Sequence, residues 1–355
     1  MDQDGKILAA ASYPYLPMDE AKLKEAIKSG KDASLINRCW SENCNPGSTF
    51  KLVDAIAFLE TRDNRFIERL LEKFPFYGKG SENLKGKRLL NGKEITFDLR
   101  NFKQEVIREQ NSRLETALAH SYNVYFAYLA MHLYEPSIYR ESFSIFPFSY
   151  FKSQFPLLKF SERLGFNSRF NLSATEKFPV LSAKSISPVN AYTINEIAHY
   201  SIGQAGVRAT PLQLALVSLS IYRKGTLPNP SLIEKIIVVN KEISRRHENR
   251  RIFSTKTAEK IEHAMNLAVT SGTASSVFKN WEFRTKLFAK TGTAETTLYK
   301  DNAWFVGYFK VNPEKAIIFA GVIPRSGIGG RIAAPLIKRI LDKYLKLQRL
   351  RSNPE

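Results

Sequence analysis

Hydrophobic and polar positions follow one period through most of the chain and another near its end. STFKLVDAIAFLE (48–60) is apolar on nearly every side and predicts a buried helix behind the Pro46-Gly47 break. LETALAHSYNVYFAYLAMHLY (114–134) predicts two helical pieces interrupted near Ser121. TPLQLALVSLSIYRKG (210–225) predicts a helix with Pro at its start and Gly at its end. STKTAEKIEHAMNLAVTSG (254–272) predicts another, capped by Ser254 and closed at Gly272. The pattern then turns to β in FRTKLFAKTGTAE, AWFVGYFKV and KAIIFAGVI, the last two joined by a turn at Asn312-Pro313-Glu314. AAPLIKRILDKYLKLQRL closes the chain as a basic amphipathic helix.

Weaker signals fill the rest. GKILAAAS (5–12) reads as a short strand, and GKRLLNGKEITFDL as a strand pair turning at Asn91-Gly92. YEPSIYRESFSIFPFSYFKSQFP (134–156) is rich in aromatics and reads as a core flap rather than a partner- or membrane-facing surface. No internal repeat and no low-complexity tract interrupts the pattern. Helices, then strands, with helices at both ends, predict a layered α+β domain.

Composition narrows the function classes. With 355 residues, 43% hydrophobic and 12% aromatic, the chain is no disordered polymer. Its 53 Lys and Arg against 34 Asp and Glu leave a net charge of +19, which favours an anionic partner: nucleic acid, phospholipid headgroups or an acidic polymer. No nucleic-acid motif accompanies that charge, and the one dense basic run, KEISRRHENRR (241–251), reads as a solvated hairpin or loop. No apolar run approaches the ~18 residues needed to cross a bilayer. The N-terminus opens acidic and soon reaches Tyr13 and Pro14, unlike a signal peptide. Cys39 and Cys44 are the only cysteines; their spacing admits a disulfide or two free thiols. The histidines have no ligand spacing around that pair, so neither a metal nor a cofactor is expected.

Serine nucleophiles need a base beside the hydroxyl, and Ser and Lys three apart on a helix share one face. In a chain this rich in both, chance supplies about 2.5 S-x-x-K matches. Three occur, at Ser48–Lys51, Ser149–Lys152 and Ser276–Lys279. Ser-x-Asn also occurs three times, at Ser41, Ser81 and Ser121. Lys290-Thr291-Gly292 occurs once, where chance predicts roughly 0.07. Context selects Ser48, at the head of an apolar helix, and Ser121, at an interruption between helices. Lys290-Thr291-Gly292-Thr293 falls on a predicted strand, where Gly admits close approach of a ligand backbone. Read alone, Ser48 is a helix cap, Ser121 and Asn123 are turn residues, and Lys290 is an edge-strand charge. His120 reads as structural, since no acidic orienter is near in sequence. Gly203-Gln204 reads as packing or loop geometry.

PGSTFK, SYN and KTGT, in this order, resemble the active site of penicillin-binding protein transpeptidases. DGKILAAASYP, SIGQ (201–204) with TPLQLA, TSGTAS (270–275) and NAWFVGY (302–308) extend the likeness over nearly the whole chain. The likeness is to the class B, monofunctional type, leaning toward the cell-elongation branch. It implies a β-lactamase/transpeptidase-like α+β fold over residues 1–355, an antiparallel sheet flanked by helices, with a mostly helical subdomain inserted at 61–200. It implies Ser48 as nucleophile, Lys51 as proton acceptor, Ser121 as relay to the leaving amine and Asn123 as a holder of the substrate amide. It further implies that Lys290, Thr291 and Thr293 bind a terminal carboxylate, with Gly292 between them. The backbone N–H groups of Ser48 and Thr293 would then form an oxyanion hole.

Expected partners by this resemblance are peptidoglycan stem peptides, β-lactam antibiotics, and other cell-wall synthesis and morphogenesis proteins. The resemblance also implies a first strand cut at Met1, with a pedestal and membrane anchor upstream, and a catalytic domain on the periplasmic side of the inner membrane. A D,D-carboxypeptidase or β-lactamase-like acyl-serine hydrolase is the alternative enzyme. A non-catalytic basic binding module is the remoter one.

Overall fold

The structure, a computed structural model, describes residues 1–15, 19–29, 34, 36–61, 78–79, 84–90, 93–97, 106–107, 113–133, 156–172, 182–184, 194–239, 241–244, 248–296 and 300–352. Its centre is a three-stranded antiparallel sheet. The edge strand Leu287–Ala294 pairs with the middle strand Asn302–Lys310, which pairs with the far strand Ala316–Ile323. Asn312 makes the predicted turn: its Oδ1 accepts the N–H groups of Glu314 and Lys315 at 3.0 and 2.7 Å. The middle strand is continuously apolar because both of its faces are covered. Trp304, Val306 and Tyr308 enter the larger core with the central helices, while Ala303, Phe305 and Phe309 meet Ala333, Ile337 and Leu341 of the C-terminal helix Ala333–Ser352.

The larger core is helical. The helix Lys51–Thr61 is buried from Lys51 to Phe58, with no solvated face over that stretch. Each fully buried Leu, Val, Ile or Phe there contributes about 1.5–3 kcal/mol, so the helix is held by its surroundings rather than by propensity. Against this core pack Asn123–Leu133, Pro211–Tyr222 and Thr255–Thr270. The caps are those the sequence offers: Thr210 accepts the Gln213 N–H and Ser254 accepts the Thr257 N–H, each at 3.2 Å. Glu60 reaches over to the second cap, accepting the Ser254 N–H at 3.0 Å and the Ser254 and Thr257 hydroxyls at 2.7 and 2.6 Å.

Two expectations change. GKILAAAS is not a strand: Lys6 forms one isolated bridge with Ser231, and Leu8 stands 51% exposed. An apolar run cannot make a ladder without a neighbouring strand. Ser48 does not open an α-helix either. Gly47–Phe50 is a 3-10 turn that runs into the helix at Lys51, drawn tight where the Thr49 hydroxyl donates to Pro46 O at 2.8 Å.

The interruption at Ser121 is as expected, between helices Leu114–His120 and Asn123–Leu133. Strands Leu84–Leu90 and Lys93–Phe97 pair around Asn91-Gly92, and the turn itself lies outside the described residues. So do most of the aromatic segment, Ser81 and Ser149–Lys152. In the basic run, Lys241–Ser244 is one arm of a hairpin with Lys235–Val238, and Asn249–Arg251 pairs with Thr226–Pro228. Among the described residues no helix is long and apolar enough to cross a membrane.

Candidate active site

Three backbones meet at Gly47. It adopts φ +53, and a Cβ there would come within 2.5 Å of Thr293 O. Gly203, at φ +76, presses on Gly47 from the other side, and its carbonyl accepts the Gly47 N–H at 3.1 Å. Only glycine tolerates both the left-handed backbone and the approach. Gly292 completes the contact, since a Cβ on it would strike Thr49 Cγ2 and Pro46 O at 2.7 and 2.8 Å. Trp304 Nε1 donates to Asn45 O at 2.9 Å and ties the same loop to the sheet. The head of the 51–61 helix is thereby fixed against the KTG strand. The sequence reading of Gly203 as packing is the one the structure supports.

On this frame Ser48 and Lys51 stand one 3-10 turn apart, a spacing that puts both on one side of the turn. Ser48 is partly exposed while Lys51 is wholly buried. Lys51 Nζ donates to Ser121 O and to Asn123 Oδ1, both at 2.7 Å, and lies 3.2 Å from Ser121 Oγ. Lys290, also wholly buried, donates to Ser121 Oγ at 2.9 Å and to Thr291 O at 3.0 Å. Ser121 thus stands between two lysine amines. It does so because it adopts φ 64, ψ 42 after the 114–120 helix, which turns both its carbonyl and its hydroxyl toward Lys51. A non-glycine residue in that region carries backbone strain that the surrounding contacts hold in place.

The chemistry follows from counting protons. Ser121 O and Asn123 Oδ1 can only accept, so two Lys51 N–H bonds are committed to them. A third contact of the same amine is Ser121 Oγ, and Ser48 is one turn away. Lys290 can only donate, so Ser121 Oγ accepts from it and its own proton stays available.

Thr291 and Thr293 project from the opposite face of the edge strand to Lys290, by strand alternation. Thr291 Oγ1 meets Thr273 Oγ1 at 2.7 Å, and Thr293 Oγ1 accepts the Gly329 N–H at 3.3 Å. Sequence reasoning assigned no role to Thr273 or Gly329; TSGTAS was the only signal for the first, and none marked the second.

One buried acid was also missed. Asp54, a turn beyond Lys51, has both carboxyl oxygens buried with no hydrogen-bond partner among the described residues. Burial pushes its carboxyl well above the usual range, with the Lys51 charge acting the other way. Burial therefore favours its neutral form. Cys39 and Cys44 are free thiols. Of the competing motif copies, Ser276 and Lys279 are exposed, as is Ser41. His120 stacks on Tyr122, ring centroids 5.7 Å apart. Among the described residues no cluster of His, Cys, Asp and Glu has the makings of a metal site.

A serine-bearing helix head, a serine held between two buried lysines and a KTG edge strand meet in the arrangement that the resemblance to penicillin-binding protein transpeptidases implies. The comparisons agree. The family model for the penicillin binding protein transpeptidase domain matches residues 80–342, and the chain belongs to that family. Ser48 and Lys51 lie ahead of the matched span.

Among curated proteins, the peptidoglycan D,D-transpeptidase FtsI of Buchnera aphidicola subsp. Baizongia pistaciae is 31% identical over 157 residues, 41% of this chain and 26% of that protein. The FtsI homolog of Mesostigma viride is 23% identical over 335 residues, covering 86% of this chain and 50% of that protein. The chain thus spans half or less of the length of these relatives. Among solved structures, the D,D-transpeptidase domain of a peptidoglycan glycosyltransferase from Eggerthella lenta has a TM-score of 0.69 at 22% identity, covering 99% of this chain and 77% of that one. Penicillin-binding protein A from M. tuberculosis, in its penicillin G acyl-enzyme complex, has a TM-score of 0.64 at 21% identity, covering 96% and 72%. At these identities the structures establish the fold.

Proposed function

We propose that the chain is a serine D,D-transpeptidase that crosslinks peptidoglycan stem peptides and is acylated by β-lactams. The observation that carries this reading is the placement of Ser121 Oγ, 3.2 Å from Lys51 Nζ and 2.9 Å from Lys290 Nζ, beside the turn that bears Ser48. Ser48 Oγ attacks the carbonyl carbon of the penultimate D-alanine while its proton passes to the Lys51 lone pair. The developing oxyanion accepts the N–H groups of Ser48 and Thr293, each worth on the order of 3 kcal/mol. Collapse breaks the peptide bond; Ser121 delivers a proton to the leaving D-alanine amine and is recharged from the lysines. An amine of a second stem peptide then attacks the acyl-enzyme and releases Ser48. Asn123, oriented through its Oδ1 by Lys51, holds the substrate amide. Lys290, Thr291 and Thr293 receive the terminal carboxylate, with the buried Lys290 ammonium supplying the positive charge.

The surroundings that the family resemblance implies are part of the same proposal: an anchored protein with this domain on the outer side of the cytoplasmic membrane, acting with other wall-synthesis proteins. The +19 charge fits work beside anionic lipid and wall polymer.

Labelling with a fluorescent penicillin tests the reading. The wild type forms a stable adduct, Ser48→Ala forms none, and Lys51→Ala and Lys290→Ala stay folded but acylate slowly. A wild type that stays unlabelled, or a Ser48→Ala protein that labels, defeats the assignment. Rapid release of the label marks a hydrolase instead.

A further inference from the structure

Thr273 stands where three parts of the site meet. It follows Gly272 at the end of the 255–270 helix, and its N–H donates to Ala119 O at 3.2 Å, two residues before Ser121. Gly330 of the loop after the far strand packs on it, since a Cβ there would come within 2.7 Å of Thr273 O. Its hydroxyl lies 2.7 Å from that of Thr291, a residue only 6% exposed.

A threonine hydroxyl has one proton to give and room to accept. Thr293 accepts from the Gly329 N–H, which can only donate, so the Thr293 proton is left for a ligand. Thr291 reaches the same condition only when Thr273 gives its proton to Thr291 Oγ1 and not the reverse. An anion at Thr291 selects that direction, and a hydrogen bond received from behind strengthens the one given forward.

We propose that Thr273 is a positioning residue for recognition of the substrate's terminal carboxylate: it donates to Thr291, so that the single Thr291 proton points at the anion. This role rests on the transpeptidase reading of the site. It makes Thr273 a determinant of specificity for ligands ending in carboxylate over uncharged ones.

The test compares Thr273→Val, which keeps the shape and loses the hydroxyl, with Thr273→Ser, Thr291→Val and the Thr273→Val/Thr291→Val double variant. Each is acylated by benzylpenicillin and by its uncharged methyl ester, and melting temperatures are recorded. Thr273→Val is expected to slow acylation by benzylpenicillin about tenfold, the loss of one ordinary hydrogen bond. Acylation by the ester stays unchanged, and Thr273→Ser restores the wild-type rate. The double variant is no slower than Thr291→Val alone, because Thr273 acts only through Thr291. Equal slowing with both ligands, failure of Ser to rescue, or additive losses in the double variant overturns the role, as does an unimpaired Thr273→Val. If the wild type itself is not acylated, the reading of the site fails and this role with it.

Discussion

Gly203→Ala offers a sharp test of how the site is held. Its added Cβ would lie 2.7 Å from Gly47 N and 2.8 Å from Gly47 C, and nearer still to the Gly47 oxygen. Ordinary contact begins near 3.4 Å, so the Gly47 backbone must retreat by about 1 Å. Gly47 cannot retreat alone, since its other side abuts Thr293. The displacement therefore falls on Ser48 and its neighbours, and misplacing a reacting group by that much costs about 100-fold in rate. The left-handed backbone of Gly203, φ +76, adds about 1–2 kcal/mol of strain to the folded state of the variant.

Gly327→Ala separates the two effects. Gly327 has φ +117 with nothing within 4 Å of a Cβ, so it carries strain without a clash. Both variants should melt lower than wild type, and only Gly203→Ala should lose acylation by labelled penicillin. A folded Gly203→Ala protein that acylates within threefold of wild type, or a Gly327→Ala protein that loses as much, would show that the glycine stack does not set the position of Ser48.

Asp54→Asn should stabilise the protein increasingly as pH rises. The folded carboxyl has its pKa raised by burial, so its favourable neutral form is fully present below the unfolded value near 3.8 and is progressively lost above it. The gap in melting temperature between Asn and Asp should widen from pH 4 to pH 8; a constant gap contradicts a neutral buried acid. Glu60→Ala, which strips three hydrogen bonds from the start of the 255–270 helix, should cost about 1–2 kcal/mol in chemical denaturation. It should leave the acylation rate alone, and a wild-type midpoint would remove the cap from the account. Burial pushes the Cys44 thiol up to about 12, helped by Glu42 and opposed by Arg208, and burial raises the Cys39 thiol as well. Both should resist iodoacetamide at pH 7.5 in the folded protein, and prompt alkylation read by mass spectrometry would contradict this.

Much of the molecule is legible in residue order alone. Pro211 and Gly225 bracket a helix because one fits its first turn and the other its left-handed exit; Ser254 caps the next because its oxygen reaches Thr257 N. NAWFVGYFK reads as a covered strand because no solvated sheet could carry that run. The serines and lysines that the fold brings together at Ser121 are recognisable from their spacing and order. Spacing by itself cannot separate Ser48–Lys51 from Ser276–Lys279, and the tertiary structure does so by burying Lys51 while leaving Lys279 in solvent.

Other features exist only in three dimensions. GKILAAAS is apolar enough to read as a strand, but among the described residues it pairs only through the single bridge of Lys6 with Ser231, so no ladder extends from it. Asp54 reads as a polar break in an apolar helix, and only the all-round packing of 51–61 makes it a buried acid. Thr273 sits 18 residues from Thr291 and Gly329 sits 36 from Thr293, distances over which no local rule operates. Residue type and short-range order mark the candidate groups and most of the helices and strands, because those depend on neighbours within a turn. The sharing of protons among Lys51, Ser121, Lys290, Thr291 and Thr273 depends on chain segments brought together across the fold, and only packing decides it.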